Sequence, residues 1–581
     1  MLSYVSTFTV TNNAFPNRHS KKHKHGTPSF FALNSSTSGI SNSSTNSSLI
    51  DGLTKKKAMK AFHKLLYCNK FTEAEEFLIQ NDLTSSCSVM EYTILMNGFV
   101  KEGNLLKAYD NFARIAEPDL TAFNSIIFGL ASHGEPEKAE ILLRRFEETS
   151  SNERPNEYSY KPVLYAHLNT NTTAGIKRGL SLLHRMEDLD ARGVHDIKPE
   201  LDFYNMVLGT MGRIRDGDGA LKLLKHMVDG PHTPKPDTTS YNCAINAQKK
   251  GNKAAGILAQ MEEMDVPYNE YTFGSLIDVY ARNSLPSKAE SVVRYMKGQY
   301  SKKKLQCFRV NVIHCNSLID AWVRSKERKG ARRAVEILEE MFQTDSQQNE
   351  EVKPDMLTFN LVMRALGNLG DARSAQRAED ILVKLESGYY GQEMVQALDN
   401  KTYNIVINIW SKCREKGSAR KAELIFQRLN QMYASTKCKN CKADVYTYTS
   451  LVDAYSKIGA SRRAEDIVAL MKSDGVSPNV YTYNTLISSW ARSGESCAIE
   501  EAERIIGRMS RSGVKPNASS YTALMDVYSK SRNNGMGDEI CHRVEEILHL
   551  LEQKAREGDE TMRPTVWSYT TVCFSFYAMH S

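Results

Sequence analysis

The chain has 581 residues with 41 % hydrophobic and 25 % charged residues and a formal charge of +7. That is a folded-protein composition at a length beyond one compact core, so it implies several domains or one repeat array and excludes wholesale disorder. No uncharged apolar run approaches the roughly 20 residues of a membrane helix, and eleven scattered cysteines lack the spacing of a disulfide framework.

Residues 1–54 read as a disordered leader. The first acid is Asp51, eighteen of the first fifty residues are Ser or Thr, and Arg18, Lys21, Lys22 and Lys24 supply four of the seven net charges. An acid-free, hydroxyl-rich, basic start predicts an organellar transit peptide, mitochondrial slightly before plastid; without import the chain would be cytoplasmic. His19, His23 and His25 read as a solvated basic run.

From residue 55 onward a period dominates. Residues 55–88 read as a degenerate first unit, 89–517 as eleven units, 518–565 as a twelfth with an insertion, and 566–581 as a partial thirteenth. Most units close on Pro-Asx, as at Pro118-Asp119, Pro236-Asp237, Pro354-Asp355, Pro478-Asn479 and Pro516-Asn517. Closing residues stand 32 to 45 apart, and length variation of this kind belongs in loops. Within a unit, Val445 to Lys457 and Arg462 to Lys472 each carry apolar residues at helical spacing. Gly459 separates them, and Gly475 with Pro478 supplies the stop. No strand-period segment competes. The prediction is all-α: a right-handed α-solenoid superhelix of about 12–13 helix-turn-helix repeats.

Numbering each unit from the residue after its closing Asx defines four rows. The fourth place is aromatic in twelve of thirteen units, Cys315 excepted; with Trp322, Trp410 and Trp490 at the eleventh, it reads as hairpin core. The fifth is small and polar: Thr93, Asn124, Asn205, Asn242, Asn316, Asn360, Asn404, Thr449, Asn484, Thr522 and Thr570, with Lys161 and Gly274 departing. Asn is a mediocre helix former and a core-facing amide needs partners, so a structural purpose looks odd there; capping suits the closing Asx better. The thirteenth is basic at Lys101, Arg213, Lys250, Arg282, Arg324, Lys412, Lys457, Arg492 and Lys530. These charges suit either a helix C-terminus or a phosphate track. The second place carries Tyr271, Ile313, Leu357, Tyr446 and Tyr481, with Met90, Tyr158 and Trp567 elsewhere in the row.

The phrase from Val480 to Ile487 (VYTYNTLI), closed by Gly513 to Asn517 (GVKPN), resembles the pentatricopeptide repeat family, and the resemblance covers residues 55–581. The sister tetratricopeptide repeat lacks the recurring Asn or Thr and the closing Pro-Asx. The resemblance implies single-stranded RNA as partner, with second-place side chains sandwiching bases and the fifth and closing residues reading one base per repeat. Asn205/Asp237, Asn316/Asp355, Asn360/Asp399 and Asn404/Asp444 then imply uracil, Thr449/Asn479 adenine and Thr93/Asp119 guanine. Asn124/Asn156, Asn242/Asn269 and Asn484/Asn517 imply pyrimidines. Lys161/Glu200, Gly274/Asn311 and Thr522/Thr565 are unreadable. The implied target is G-Y-?-U-Y-?-U-U-U-A-Y, with a U-rich core.

Some members of that family carry a catalytic extension. Here repeats run to Ser581, and no glycine-rich phosphate loop or nucleophile triad appears, so no enzyme and no cofactor is expected. The one C-x-x-C, Cys438 to Cys441, reads as a basic loop rather than a metal site, even with Cys413. Partners beyond RNA would be a nuclease, splicing or editing factor. A protein-interaction scaffold is the competing class, and the RNA-targeting subunit of a separate enzyme a third.

Overall fold

The computed structural model describes residues 46–84, 87–149, 154–193, 197–231, 233–345, 352–413, 415, 417–436, 439–531 and 537–580. Among them there is no strand; the chain is a succession of helix pairs. First helices run Val89–Lys101, Leu120–Ser132, Glu157–Asn169, Leu201–Ile214, Thr238–Ala247, Glu270–Arg282, Val312–Ser325, Met356–Gly367, Asn400–Lys412, Val445–Lys457, Val480–Ser493, Ala518–Lys530 and Val566–His580. Second helices run Leu105–Ala113, Pro136–Thr149, Thr173–Ala191, Gly217–Asp229, Gly251–Glu263, Pro286–Lys303, Arg328–Asp345, Ala372–Glu386, Ser418–Thr436, Ser461–Ser473, Ala498–Arg511 and Gly537–Arg556. The pair Asn46–Tyr67 and Phe71–Gln80 precedes them, starting nine residues inside the stretch read as leader. Residues 1–45, with the basic histidine run, lie outside the described residues.

The two rows of helices pack differently. Each first helix lies against its own second helix and against the first helix of the next unit, from Val89–Lys101 to Val566–His580. Second helices pack on the following first helix and at most graze one another along the backbone. A row packed helix on helix is shorter than a splayed one, so the stack curves with first helices inside: an α-solenoid.

The core is built as the fourth place predicts. Tyr160, Tyr204, Tyr241, Tyr403, Tyr448, Tyr483, Phe273 and Phe359 are almost wholly buried, as are Trp322, Trp410 and Trp490. Ala108, Ala139, Ala220, Ala254, Ala289, Ala464 and Ala502 are fully buried early in the second helices, where a methyl group lets two backbones approach. Three phenol oxygens find carboxylate acceptors: Tyr160 Oη donates to Glu147 of the preceding second helix at 2.6 Å, Tyr204 likewise to Glu187, and Tyr448 to Asp474 at the end of its own hairpin. Burial first, then the neighbouring carboxylate, raises all three phenols.

Length variation sits partly in connectors, as between Glu386 and Asn400 with its short helix Gln392–Gln396, and partly in the second helices. The regular second helices Gly217–Asp229 and Ser461–Ser473 have 13 residues, whereas Thr173–Ala191 and Ser418–Thr436 have 19 and Gly537–Arg556 has 20. Extra residues add turns to helices on the splayed side, where no neighbouring second helix blocks them.

Long side chains bridge that splayed side. Acids of one second helix pair with cations of the next: Glu75 with Lys107 at 3.0 Å, Glu140 with Arg178 at 3.7 Å, Glu147 with Arg185, Glu187 with His226 at 2.9 Å, and Glu290 with Arg333 at 3.1 Å. Glu386 with Arg428, Glu423 with Arg463 at 2.5 Å and Glu465 with Arg508 at 2.9 Å continue the ladder. The acids are largely buried, so removing a cation strands a carboxylate. Arg428→Ala, which strands Glu386 while Glu379 keeps Lys421 at 3.6 Å, is expected to cost about 2 kcal/mol. Urea melts, with amide exchange fastest in Ala372–Glu386 and Ser418–Thr436, would read it.

Candidate nucleic-acid interface

Steps of three, four and four residues place positions two, five, nine and thirteen of each first helix on one face, opposite the buried fourth, seventh, eighth and eleventh. On that face the second-place residues Met90, Tyr158, Tyr271, Ile313, Leu357, Tyr446, Tyr481 and Trp567 are 45–74 % exposed. Exposed apolar side chains recurring at one position of a solenoid form a row on its inner surface.

Each closing Asx is the N-cap of the following first helix. Asp237 Oδ1 accepts from Ser240 N at 2.8 Å, Asp355 Oδ1 from Thr358 N at 2.8 Å, and Asn517 Oδ1 from Ser520 N at 3.0 Å. Asp119, Asn156, Asn269, Asn311, Asp399, Asp444 and Asn479 cap likewise, whereas Glu200 makes no such bond.

The fifth place is tied to this cap. Asn205 Nδ2 donates to Asp237 Oδ1 at 3.3 Å, Asn242 to Asn269 at 3.0 Å, Asn316 to Asp355 at 3.1 Å, Asn404 to Asp444 at 3.3 Å and Asn124 to Asn156 at 3.4 Å. The hydroxyl at the third place of the next unit closes a triad. Ser240 Oγ donates to Asn205 Oδ1 at 2.7 Å, Thr358 to Asn316 at 2.7 Å, Ser159 to Asn124 at 2.6 Å and Ser520 to Asn484 at 2.6 Å. Each complete triad spends the cap's Oδ1, the amide oxygen and one amide hydrogen. The second cap heteroatom and the second amide hydrogen are left over.

The departures have local causes. Thr93, Thr449 and Thr522 donate back to their own helix carbonyls, and Thr449 and Thr522 also meet the next unit's Thr482 and Ser568 at 2.8 Å. At Gly274 the His314 imidazole fills the vacant position and reaches the Glu270 carbonyl at 3.0 Å. Lys161 extends to Asp202 at 3.4 Å.

The thirteenth place is basic but unequal. Arg282, Arg324, Lys457 and Lys530 each pair with the aspartate one turn earlier, at Asp278 (2.9 Å), Asp320 (2.5 Å), Asp453 (2.6 Å) and Asp526 (2.7 Å). Arg213 donates to Asn171 at 2.8 Å and Arg492 to Ser456 at 2.9 Å, both neutral. Lys101, Lys250 and Lys412 form no ion pair among the described residues. Desolvation, then Lys457 and Arg364 nearby, lowers the Lys412 ammonium below its usual value, which marks a crowd of cations short of a counter-charge.

Two family models match the chain. One, described as pentatricopeptide repeat domain, covers residues 300–369, 433–492 and 499–531; the other, described as PPR repeat, covers 92–112, 121–148, 271–299 and 481–514. The chain belongs to the pentatricopeptide repeat family. A pentatricopeptide repeat-containing protein of Arabidopsis thaliana named as mitochondrial is 32 % identical over 196 residues, 33 % of this chain and 25 % of its own length. Another from the same plant, named as chloroplastic, is 25 % identical over 278 residues, 45 % of this chain and 33 % of its own. The chain thus spans a quarter to a third of these relatives. The crystal structure of the maize pentatricopeptide repeat protein PPR10 shares the fold with a TM-score of 0.55 at 21 % identity, covering 89 % of this chain and 70 % of that one.

Four sequence readings of the pentatricopeptide array change. The fifth place does have a structural purpose, because its amide binds the neighbour's cap. Asn360 makes no hydrogen bond to Asp399, and its Oδ1 is buried without a partner. Lys250 does not end a first helix: Thr238–Ala247 stops early, where Gln248 turns inward onto the Gly217 carbonyl at 3.0 Å. The basic row is half neutralised from the ninth place, which was not read at all. That place also presents Phe128 and Tyr165, both exposed, and Asn408, whose Nδ2 donates to the Tyr446 hydroxyl at 2.9 Å. An i, i+4 count on the first helices would have found it. Cys441 is buried with its thiol on the Leu398 carbonyl at 3.3 Å, and Cys438 lies outside the described residues.

Asp355→Ala removes a cap and the anchor of Asn316 together. It is expected to cost about 1 kcal/mol, seen as faster amide exchange at the start of Met356–Gly367, while Asp355→Asn keeps most of the protection.

Proposed function

We propose that this pentatricopeptide array binds single-stranded RNA in a sequence-selective way, about one base per unit, and acts in organellar RNA metabolism without itself catalysing a reaction. The observation that carries the reading is the triad at the unit junctions. With Asp as cap, the groups left over are a carboxylate oxygen and an amide N–H side by side. That acceptor–donor pair complements the N3–H and a carbonyl of uracil. With Asn as cap, the leftover cap atom becomes a donor, which suits the acceptor N3 of cytosine. The exposed second-place side chains beside each triad supply stacking surfaces, worth roughly 1–3 kcal/mol per base.

Asn316/Asp355 thereby selects uracil within a U-U-U-A core; Asn404/Asp444 keeps its amide–cap bond, but Asn404 Oδ1 lacks a partner and Asp444 Oδ2 already accepts from Asn400 Nδ2 at 3.1 Å, and the unlinked Asn360/Asp399 contributes least. Lys101, Arg213, Lys412 and Arg492 carry the backbone. The basic, acid-free leader and the relatives named as mitochondrial or chloroplastic support action in an organelle. Bound RNA would be shielded, kept unstructured, or presented to a nuclease, splicing or editing factor.

The test is titration of the protein with short RNAs selected from a random pool. Asn316→Ala is expected to weaken binding to the selected U-rich RNA about tenfold, the worth of one net hydrogen bond, and Asn360→Ala by less. Equal affinity in both variants and the parent rejects the base assignment, and no RNA retained at low salt rejects RNA binding in favour of a protein scaffold.

The phosphate row has its own readout. Lys412→Ala is expected to reduce the slope of log affinity against log salt by about 0.7. Lys530→Ala reduces it less, because Asp526 already neutralises that lysine.

A further inference from the structure

Of the ladder rungs named above, one uses an imidazole where the others use a guanidinium or an ammonium. Glu187, on Thr173–Ala191, meets His226, on Gly217–Asp229, with Nε2 at 2.9 and 3.1 Å from its two carboxylate oxygens. A second imidazole approaches from Glu187's own helix: His184, three residues earlier and hence on the same face, places Nδ1 3.1 Å from the carboxylate. The two rings stand edge to face with centroids 5.4 Å apart. One ligand atom from each of the three residues lies within 4.8 Å of the others.

We propose that His184, Glu187 and His226 bind a divalent zinc ion that clips the third and fourth units together on the outer side of the solenoid. Two imidazole nitrogens and one carboxylate are a zinc donor set, with a water completing a tetrahedron. Donor atoms around tetrahedral zinc stand about 3.3 Å apart, given bonds of about 2.0–2.1 Å. The two contacts to Glu187 already have that spacing, so closing the site needs only the two imidazoles to draw together. The carboxylate is held for the purpose. Tyr204, buried at the fourth place of the next unit, donates its hydroxyl to Glu187, the outer-shell bond that orients a ligating carboxylate. Glu187 is largely buried while His184 is exposed, so an ion enters from solvent past His184. His184 and His226 lie on the outer helices, away from the row that faces RNA, so the clip would stiffen one joint of the array without occupying a base-reading position.

The test is calorimetric titration of the full chain with zinc chloride, with cobalt substituted for its visible absorption. The intact protein is expected to bind one tight equivalent that His184→Gln, Glu187→Gln and His226→Gln each weaken at least tenfold. His226→Arg restores the ladder's usual cation and so keeps the fold, yet it should lose that equivalent as well. The same stoichiometry and affinity in His226→Arg as in the parent would assign any zinc to other groups, such as the leader histidines, and overturn the proposal. So would the absence of a tight equivalent in the parent.

Discussion

The hydrogen bond from a closing Asx to the third amide of the next helix is the interaction on which the rest depends. Without it the first turn of each inner helix has orphan N–H groups facing a junction between two units. With it, the cap side chain is fixed in one rotamer. It can then serve as acceptor for the preceding unit's asparagine, as Asp355 does for Asn316. One oxygen therefore starts a helix, joins two repeats and orients the remaining cap atom. A position that performs three tasks tolerates few residue types. That is the physical reason Asp and Asn predominate there, with Glu200 and Thr565 departing, while the fifth place accepts Asn, Thr and, once each, Lys and Gly.

Inner and outer rows respond differently to change. Inner helices pack on one another, and side chains in contact set their spacing. Outer helices meet mainly through ion pairs between long side chains, whose reach is adjustable, with hydrogen bonds such as Lys288 to Asn252 at 2.8 Å beside them. Extra turns on Thr173–Ala191 or Gly537–Arg556 are thus absorbed outside, and the row of second-place side chains keeps its order. A solenoid made this way is stiff where it would read and compliant where it does not.

The period, the helix pairs and the aromatic core were legible in the sequence because each is a local pattern repeated many times. The role of the fifth place was not. Its partner lies 27 to 40 residues away, and only the fold brings the two together. The neutralising aspartates could have been found: Asp453 and Lys457 are one turn apart on a helix that the periodicity already defined. They were missed because charges were compared down one position rather than across one face. The His184, Glu187 and His226 cluster was invisible for the first reason, since His226 comes from another unit 39 residues on from Glu187.

Electrostatics then explains how a body with little net charge beyond its leader can present a polyanion track at all. Buried acids on the outer helices consume the cations beside them, so those charges cancel within the ladder and project little field. Along the inner face, Asp278, Asp320, Asp453 and Asp526 cancel four more cations. What remains is a sparse set at Lys101, Arg213, Lys412 and Arg492, spaced by whole units. At Lys412 burial lowers the ammonium most, and Lys457 and Arg364 beside it add like-charge repulsion. Lys412 lies in the unit that holds Asn404, whose side chain is buried against the Asp444 cap. A phosphate there would relieve like-charge repulsion as well as gain attraction, so the strongest backbone contact and the base-reading junction would coincide on the same stretch of bound strand.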